Sequence, residues 1–337
     1  MTAPNRGEAA RLWAKIGLLS FGGPAGQIAL MREELVTRRA WVSPESFERG
    51  LSVAMLLPGP EAQQLATWLG WRVQGWRGGL LAGLAFILPG ALLMIVLAAL
   101  AACQSQTSWV NALFYGIQPA VLVLVLKAVF GLAQRAATGV ASWMLAAAAF
   151  GALTFTSAPF PLVIAAAGAL GFALFPRVSE DASATSGRWT QSLRVLGFGA
   201  LLIACSLLVV RAVLPDVFGD IARLFTTAAF VSFGGAYALL PFVAENAVER
   251  EGWLTAAEML NGLALGEATP GPLILVNLYA GFFGGWSDSG VWAGVLGAVL
   301  ACYFTFLPSF VLVFAIAPHV ESLGRVPWAR AALAGVS

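Results

Sequence analysis

The chain has 337 residues, 59% hydrophobic and only 11% charged, against about 25% charged in ordinary soluble domains. That balance excludes a soluble enzyme, and a formal net charge of +2 is too small to recruit nucleic acid or a strongly acidic partner. The composition predicts an integral membrane protein built from helices, since β-barrel strands would show as short alternating segments instead.

In chain order, the first apolar segment runs over 9–31 and is interrupted by Gly22-Gly23-Pro24. Arg6, Glu8, Arg11 and Lys15 are scattered through its start, a pattern unlike the apolar region of a cleavable signal peptide. The second segment, 44–71, is interrupted by Pro58-Gly59-Pro60. Proline inside a helix removes a hydrogen bond and clashes with the preceding turn, at about 3 kcal/mol or more. In lipid such breaks are tolerated only where backbone is buried in protein or lines a wet cavity. Uninterrupted stretches of membrane-crossing length follow at 79–103, 110–134, 138–156, 159–176, 193–214 and 291–318. Cys103, Cys205 and Cys302 lie far apart in or beside apolar segments, and their spacing implies neither a disulfide framework nor a metal site.

The two broken segments recur. Ser20-Phe21-Gly22-Gly23, Trp41 and Pro58-Gly59-Pro60 reappear as Ser232-Phe233-Gly234-Gly235, Trp253 and Pro270-Gly271-Pro272 at a constant offset of 212, and Ala10-Arg11-Leu12 falls on Ala222-Arg223-Leu224. After an insertion of seven residues near 287–293 the offset becomes 219, matching Leu88-Pro89 to Leu307-Pro308. The expected organisation is therefore an N-terminal membrane repeat over 1–176, a linker loop over 177–190, a connecting transmembrane helix over 191–220 and a C-terminal repeat over 221–337. The second repeat stops inside its counterpart of the stretch beginning at 110, so a longer parent chain is expected.

Charge placement predicts topology. The loop between the breaks carries Arg32, Arg38 and Arg39 in the first copy, and Glu245, Glu249, Arg250 and Glu251 in the second. Basic loops favour the cytoplasm. The fold class expected is an all-α polytopic membrane protein with an inverted repeat of two homologous halves. Each half would combine broken helices, read as re-entrant hairpins, with full transmembrane helices. Full crossing by the broken segments is the alternative.

The breaks suggest chemistry. Each Pro-Gly-Pro reads as the end of one half-helix and the start of another, with proline at the first helical position. The new N-terminus offers N–H donors and a positive dipole end inside the membrane, which suits an anion. Inverted repeats whose broken helices meet at the midplane are a layout of secondary transporters. The candidate substrate ligands are the backbone around Gly22, Gly23, Gly59, Gly234, Gly235 and Gly271, with side chains of Ser20, Gln63, Ser232 and Thr269. Gln27, Gln64, Thr67, Tyr237, Asn261 and Asn277 are further polar groups near the breaks; an interhelical hydrogen bond is the plain reading for any one of them. Glu61, directly after the first Pro-Gly-Pro, is read either as a dipole-stabilising first-turn acid or as an ion-coupling group. Glu267, three residues before the second, sits where a helix C-terminus disfavours charge, which suits a proton carrier. Arg11, Arg223 and Lys127 are candidate anion-attracting cations, each with the alternative of anchoring a helix end.

Phe21-Gly22-Gly23-Pro24, Pro58-Gly59-Pro60-Glu61, Gly70-Trp71 and Phe86-Ile87-Leu88-Pro89-Gly90 resemble the N-terminal signature of the chromate ion transporter family. Phe233-Gly234-Gly235 and Ala268-Thr269-Pro270-Gly271-Pro272 resemble its C-terminal counterpart. The resemblance implies a bacterial or archaeal inner-membrane carrier of the two-domain type that exports chromate, confers resistance and draws on the proton gradient, with sulfate as a similar oxyanion. It implies chromate or a sulfate-like oxyanion, protons and the lipid bilayer as partners, a homodimer as an option, and no cofactor. Leu273 stands where the first copy has Glu61, so the half-sites are not equivalent. An oxyanion channel or a sulfate-type importer is the competing function. A chromate reductase lacks any flavin, haem or cysteine redox motif to support it.

Overall fold

The computed structural model describes residues 4–103, 140–156, 189–233 and 236–320, with scattered positions between 116 and 130 and between 162 and 170. The predicted stretches 110–134 and 159–176 lie largely outside the described residues, as do Lys127, Gly234 and Gly235. Among the described residues every regular element is a helix.

Helix α1 (Arg6–Leu19) starts on Asn5, whose side chain accepts the Gly7 N–H, and stops at Ser20. Gly22, left-handed at φ 85°, turns the chain into α2 (Gly23–Arg32), which runs on into a π turn, Glu33–Arg38. Helix α3 (Pro44–Leu56) is capped by the Ser43 side chain and ends just before Pro58-Gly59-Pro60. Helix α4 (Glu61–Cys103) follows in two arms, because Gln74 and Gly75 leave the helical conformation. A methyl group on Gly70 would stand 2.4 Å from the Gly78 carbonyl oxygen, so the arms 61–73 and 76–103 run back to back. Beyond α5 (Val140–Phe155) and α6 (Trp189–Val213) the pattern repeats. Helices α7 (Asp216–Val231) and α8 (Ala236–Ala244) lead to a second π turn, Glu245–Arg250. Helix α9 (Ala256–Ala268) carries a capping box from Thr255 and Glu258. A 3-10 turn, Leu273–Leu275, then opens α10 (Val276–Ser289), and α11 (Val291–Ile316) completes the set.

The broken segment in each copy folds back on itself. Gly50 of α3 lies under the Trp68 ring of α4, where a methyl group would come within 2.2 Å of a ring carbon, so α3 and the arm 61–73 form a hairpin whose tip is Pro58-Gly59-Pro60. Gly262 of α9 lies in the same way under Tyr279 of α10, at 2.6 Å. The 13 residues of α3 reach about 20 Å at 1.5 Å per residue, short of a hydrocarbon core of about 30 Å. Helix α4, α6 and the stretch Val291–His319 are long and apolar enough to cross.

Two details of register differ from the sequence reading. The helix restarts at Glu61, leaving Pro60 at the cap, and Pro272 caps a 3-10 turn instead of an α-helix. The Gly50–Trp68 and Gly262–Tyr279 contacts also show that the offset drops by one to 211 after the second Pro-Gly-Pro. The left-handed turn then falls at Gly75 and Gly290, offset 215, and the close glycines Gly78 and Gly297 restore 219. The net insertion is thus four residues, about one turn, on each arm of the α10–α11 pair, less one residue at its start. Adding a turn to both arms keeps the same faces in contact.

One buried carboxylate was not singled out by the sequence. Glu34, in the first π turn, is 1% exposed. It accepts from Lys15 of α1 at 2.7 Å, from Arg38 at 3.1 Å and from Arg39. Its neighbour Glu33 pairs with Arg38 at 3.1 Å, and the matching Glu245 pairs with Arg250 at 2.6 Å. The Lys15–Glu34 bond ties the base of α1 to the end of α2. The Lys15 hydrogen bond, helped by Arg39 and opposed by burial, holds the Glu34 carboxyl below the usual carboxylate range. A depressed carboxylate stabilises the fold above its unfolded value of about 4.3 and loses that contribution as pH falls through the folded value. Wild type and Glu34→Gln should therefore differ in thermal midpoint at neutral pH and converge below about pH 4. Gly50→Ala and Gly262→Ala should each cost about 1–3 kcal/mol by overpacking the ring above them, as read from thermal unfolding in detergent.

Candidate functional site

Each Pro-Gly-Pro tip meets the serine that ends the first helix of the other copy. The Gly59 N–H donates to the Ser232 carbonyl at 2.7 Å, and the Gly271 N–H donates to the Ser20 carbonyl at 2.9 Å. Gly59 and Gly271 are matched positions in the two copies, and so are Ser20 and Ser232. The pair is therefore reciprocal, as a local two-fold relation between copies requires. Glycine is needed at both tips because φ is 124° at Gly59 and 96° at Gly271, where a side chain is strained.

Each tip also rests on the long helix of the other copy. A methyl on Gly59 would stand 3.2 Å from the Ser309 hydroxyl of α11, and one on Gly90 of α4 would stand 1.9 Å from the Pro270 carbonyl oxygen. Ser309 is the offset-219 partner of Gly90, so this contact is reciprocal too. Polar side chains extend the junction. Gln27 bridges it, its amide donating to the Ser20 carbonyl at 3.2 Å and to the Gly271 carbonyl at 2.6 Å. Ser309 donates to Gln63 at 2.7 Å, whose amide donates to Thr67 at 2.9 Å. Gln64 donates to the Pro58 carbonyl at 2.7 Å. Asn277 donates to Thr305 at 3.1 Å. Ser20, Gln27, Gln63, Gln64, Ser232 and Asn277 are all almost wholly buried.

Several polar atoms at this junction have no partner among the described residues: the Gln27 and Gln64 side-chain oxygens, the Asn277 oxygen and the Ser232 hydroxyl. A buried polar group left unpaired costs about 1–3 kcal/mol. The two serines thus differ: Ser20 Oγ donates back to the Ile16 carbonyl, whereas Ser232 Oγ is idle.

Of the residues expected at the site, Ser20, Gly59, Gln63, Ser232 and Gly271 come together here. Thr269 is buried directly before the second tip, with a long 3.4 Å bond to the Gly266 carbonyl. Gly22 is exposed and open, and Gly23 half-buried, both outside the knot of tip contacts. Two N–H groups expected to be free for a ligand, at Gly59 and Gly271, are engaged by the opposite serines. Glu61 opens α4 and Glu267 sits in the last turn of α9, both half-buried. Arg11 and Arg223 are exposed, nine residues ahead of the tip serines, and Arg223 lies 3.4 Å from Asp220. Ser309 was missed by sequence reading, though its offset of 219 from Gly90 marks it as the point where the long helices differ in polarity.

The family described as "Chromate transporter" matches residues 7–172 and 219–337 of this chain. A chromate transport protein of Pseudomonas aeruginosa is 34% identical over 334 residues, covering 96% of this chain and 75% of that protein. A probable chromate transport protein of Synechococcus elongatus is 29% identical, covering 93% and 76%. The chromate transport protein of Cupriavidus metallidurans is 26% identical, covering 96% and 77%. No solved structure matches. Ser20→Ala should cost about 0.5–1.5 kcal/mol for its lost bond, whereas Ser232→Ala, which deletes an unpaired hydroxyl, should be neutral or stabilising in thermal unfolding without substrate.

Proposed function

The chain belongs to the chromate transporter family, and from that premise we propose that it is a secondary transporter exporting chromate across the inner membrane in exchange for protons. In this reading the two halves insert in opposite senses, the hairpins enter from both faces, and the oxyanion binds where their tips meet. The reciprocal Gly59–Ser232 and Gly271–Ser20 bonds carry it, because they join each tip to the end of the other copy's first helix at matched positions. The match of one family description to both halves supports the duplication.

The tip bonds describe a closed junction. Each glycine N–H is held by a neutral carbonyl, and a divalent oxyanion arriving between the tips offers a charged acceptor instead. Hydrogen bonds to an ionised partner are roughly twice as strong as neutral ones. Substrate therefore exchanges two weaker acceptors for stronger ones, offsetting the cost of parting the tips. The idle Ser232 hydroxyl adds a donor already desolvated. Glu267, at the end of the half-helix leading to the second tip, is placed to take up a proton when the tips move, with Glu61 beside the first tip as its companion.

Chromate and sulfate flux should be followed in sealed vesicles under imposed pH gradients of both signs. Saturable uptake that accumulates chromate against its gradient, driven by one sign of pH gradient, is expected. Flux that never exceeds equilibrium would instead mean a channel. Glu267→Gln should retain chromate exchange and lose most of the pH dependence; an unaltered pH profile removes Glu267 from coupling. Gly59→Leu and Gly271→Leu should abolish flux while the protein still inserts.

A further inference from the structure

A cleft of about 620 Å³ opens at the base of the first Pro-Gly-Pro hairpin, opposite its tip. Its walls are the start of α3, the end of the arm 61–73 and the turn after α11, and they carry Arg49, Arg72, Ser43 and Ser46. Glu45 is also there, its carboxylate held ionised by its own backbone N–H and the Ser43 hydroxyl. Among the described residues that line it, two guanidinium groups stand with one carboxylate.

Trp68 forms part of the cleft wall and also part of a second space further in, about 10 Å³, bounded by Val53, Leu57, Gln64 and Val313. That is about the room one water needs. Gln64 in turn bonds the Pro58 carbonyl at the tip. Cleft, Trp68, inner space, Gln64 and tip therefore follow one another along a single hairpin. Two of these residues carry buried, unpartnered polar atoms: Trp68 Nε1, in a side chain only 3% exposed, and the Gln64 oxygen. A purely structural seam between helices has no need of them.

The second copy lacks this mouth. By the offsets of 212 and 211, Arg49 corresponds to Asn261, Arg72 to Phe283 and Ser46 to Glu258, so both cations are lost and an acid stands in place of a hydroxyl. Trp68 corresponds to Tyr279, which packs on Gly262 as Trp68 does on Gly50 and whose hydroxyl is likewise buried without a partner among the described residues, so the copies differ in the charge of the mouth.

We propose that this cleft is a loading site for a tetrahedral divalent oxyanion, and that Trp68 is the gate through which the anion passes to the Pro58-Gly59-Pro60 tip. The inference rests on the transport reading above. Arg49 and Arg72 draw the anion in, Ser43 and Ser46 offer hydroxyl donors, and Trp68 Nε1–H is the first donor beyond the mouth. Because only the first copy has this arrangement, loading is favoured from the side its hairpin bases face.

The test uses the full chain in vesicles, with chromate supplied on that side and protein inserted in one known orientation. Arg49→Gln/Arg72→Gln should raise the half-saturating chromate concentration about tenfold, the lower end of electrostatic steering, with a smaller change in maximal rate. The gap to wild type should shrink at 1 M salt, where the screening length falls to about 3 Å. Arg49→Lys/Arg72→Lys, which keeps the charge, should recover most of the loss and controls for misfolding. Trp68→Phe, which keeps a ring but removes the donor, should lower the maximal rate at least threefold with little change in half-saturation. An unchanged half-saturation in the glutamine variant, or a loss that the lysine variant shares and salt does not reduce, overturns the loading site. A Trp68→Phe rate equal to wild type overturns the gate. Wild-type protein that moves no chromate at all overturns the transport reading itself, and the cleft proposal with it.

Discussion

A backbone that breaks in the interior of a helical bundle must find partners for the groups it frees, and in this protein each copy of the break supplies them to the other. The freed N–H at each glycine tip goes to a carbonyl at the end of the opposite copy's first helix. Water cannot serve there cheaply, and an unsatisfied group in hydrocarbon costs several kcal/mol. Neither copy satisfies its tip N–H alone; each uses a carbonyl of the other. The glycines follow from the same constraint. Positive φ at Gly59 and Gly271 aims the N–H across the junction, and the bare Gly90 surface lets Pro270 approach to backbone contact.

The same constraint explains why a stable junction can also move. A tip whose N–H is held by one carbonyl acceptor is satisfied but not strongly bound, since a neutral hydrogen bond contributes only about 0.5–1.5 kcal/mol net. The long helices, by contrast, are joined through large apolar faces and glycine contacts such as Gly17 against the Ala85 backbone. Weak, directional bonds at the tips and broad apolar packing behind them divide the molecule into a part that can yield and a part that holds it in register.

Much of this was legible in the sequence and some was not, for physical reasons. The breaks were legible because Gly and Pro in apolar runs have few innocent explanations. Their pairing was not: that Gly59 meets Ser232 and Gly271 meets Ser20 depends on how two hairpins approach, which residue spacing does not encode. Arg11 and Arg223 matched across the repeat, yet matching register does not say which face of a helix they occupy, and both lie on an exposed one. Glu34 looked like its neighbour Glu33, and only the fold distinguishes the buried carboxylate from the exposed one. The insertion looked like an interruption of the repeat, whereas four added residues on each arm extend two helices by a turn and leave their contact face unchanged.

The scaffold is duplicated but the chemistry lining it is not. In the first copy the helix after the tip presents Gln63, Gln64 and Thr67, while the second presents Ile274, Leu275 and Leu278 at the offset of 211. Ser309 adds a hydroxyl on the long helix facing the first tip, where the long helix facing the second has Gly90. If the copies were chemically identical, two states of a carrier open to opposite sides would have similar energies, related by exchange of the halves. Polar groups concentrated on one copy remove that degeneracy. They hydrate one approach to the tips more readily than the other, and a bias of only about 1.4 kcal/mol shifts a two-state population tenfold. On the proposed transport reading, a repeated fold supplies two comparable states, and the unequal side chains decide which one is favoured without substrate.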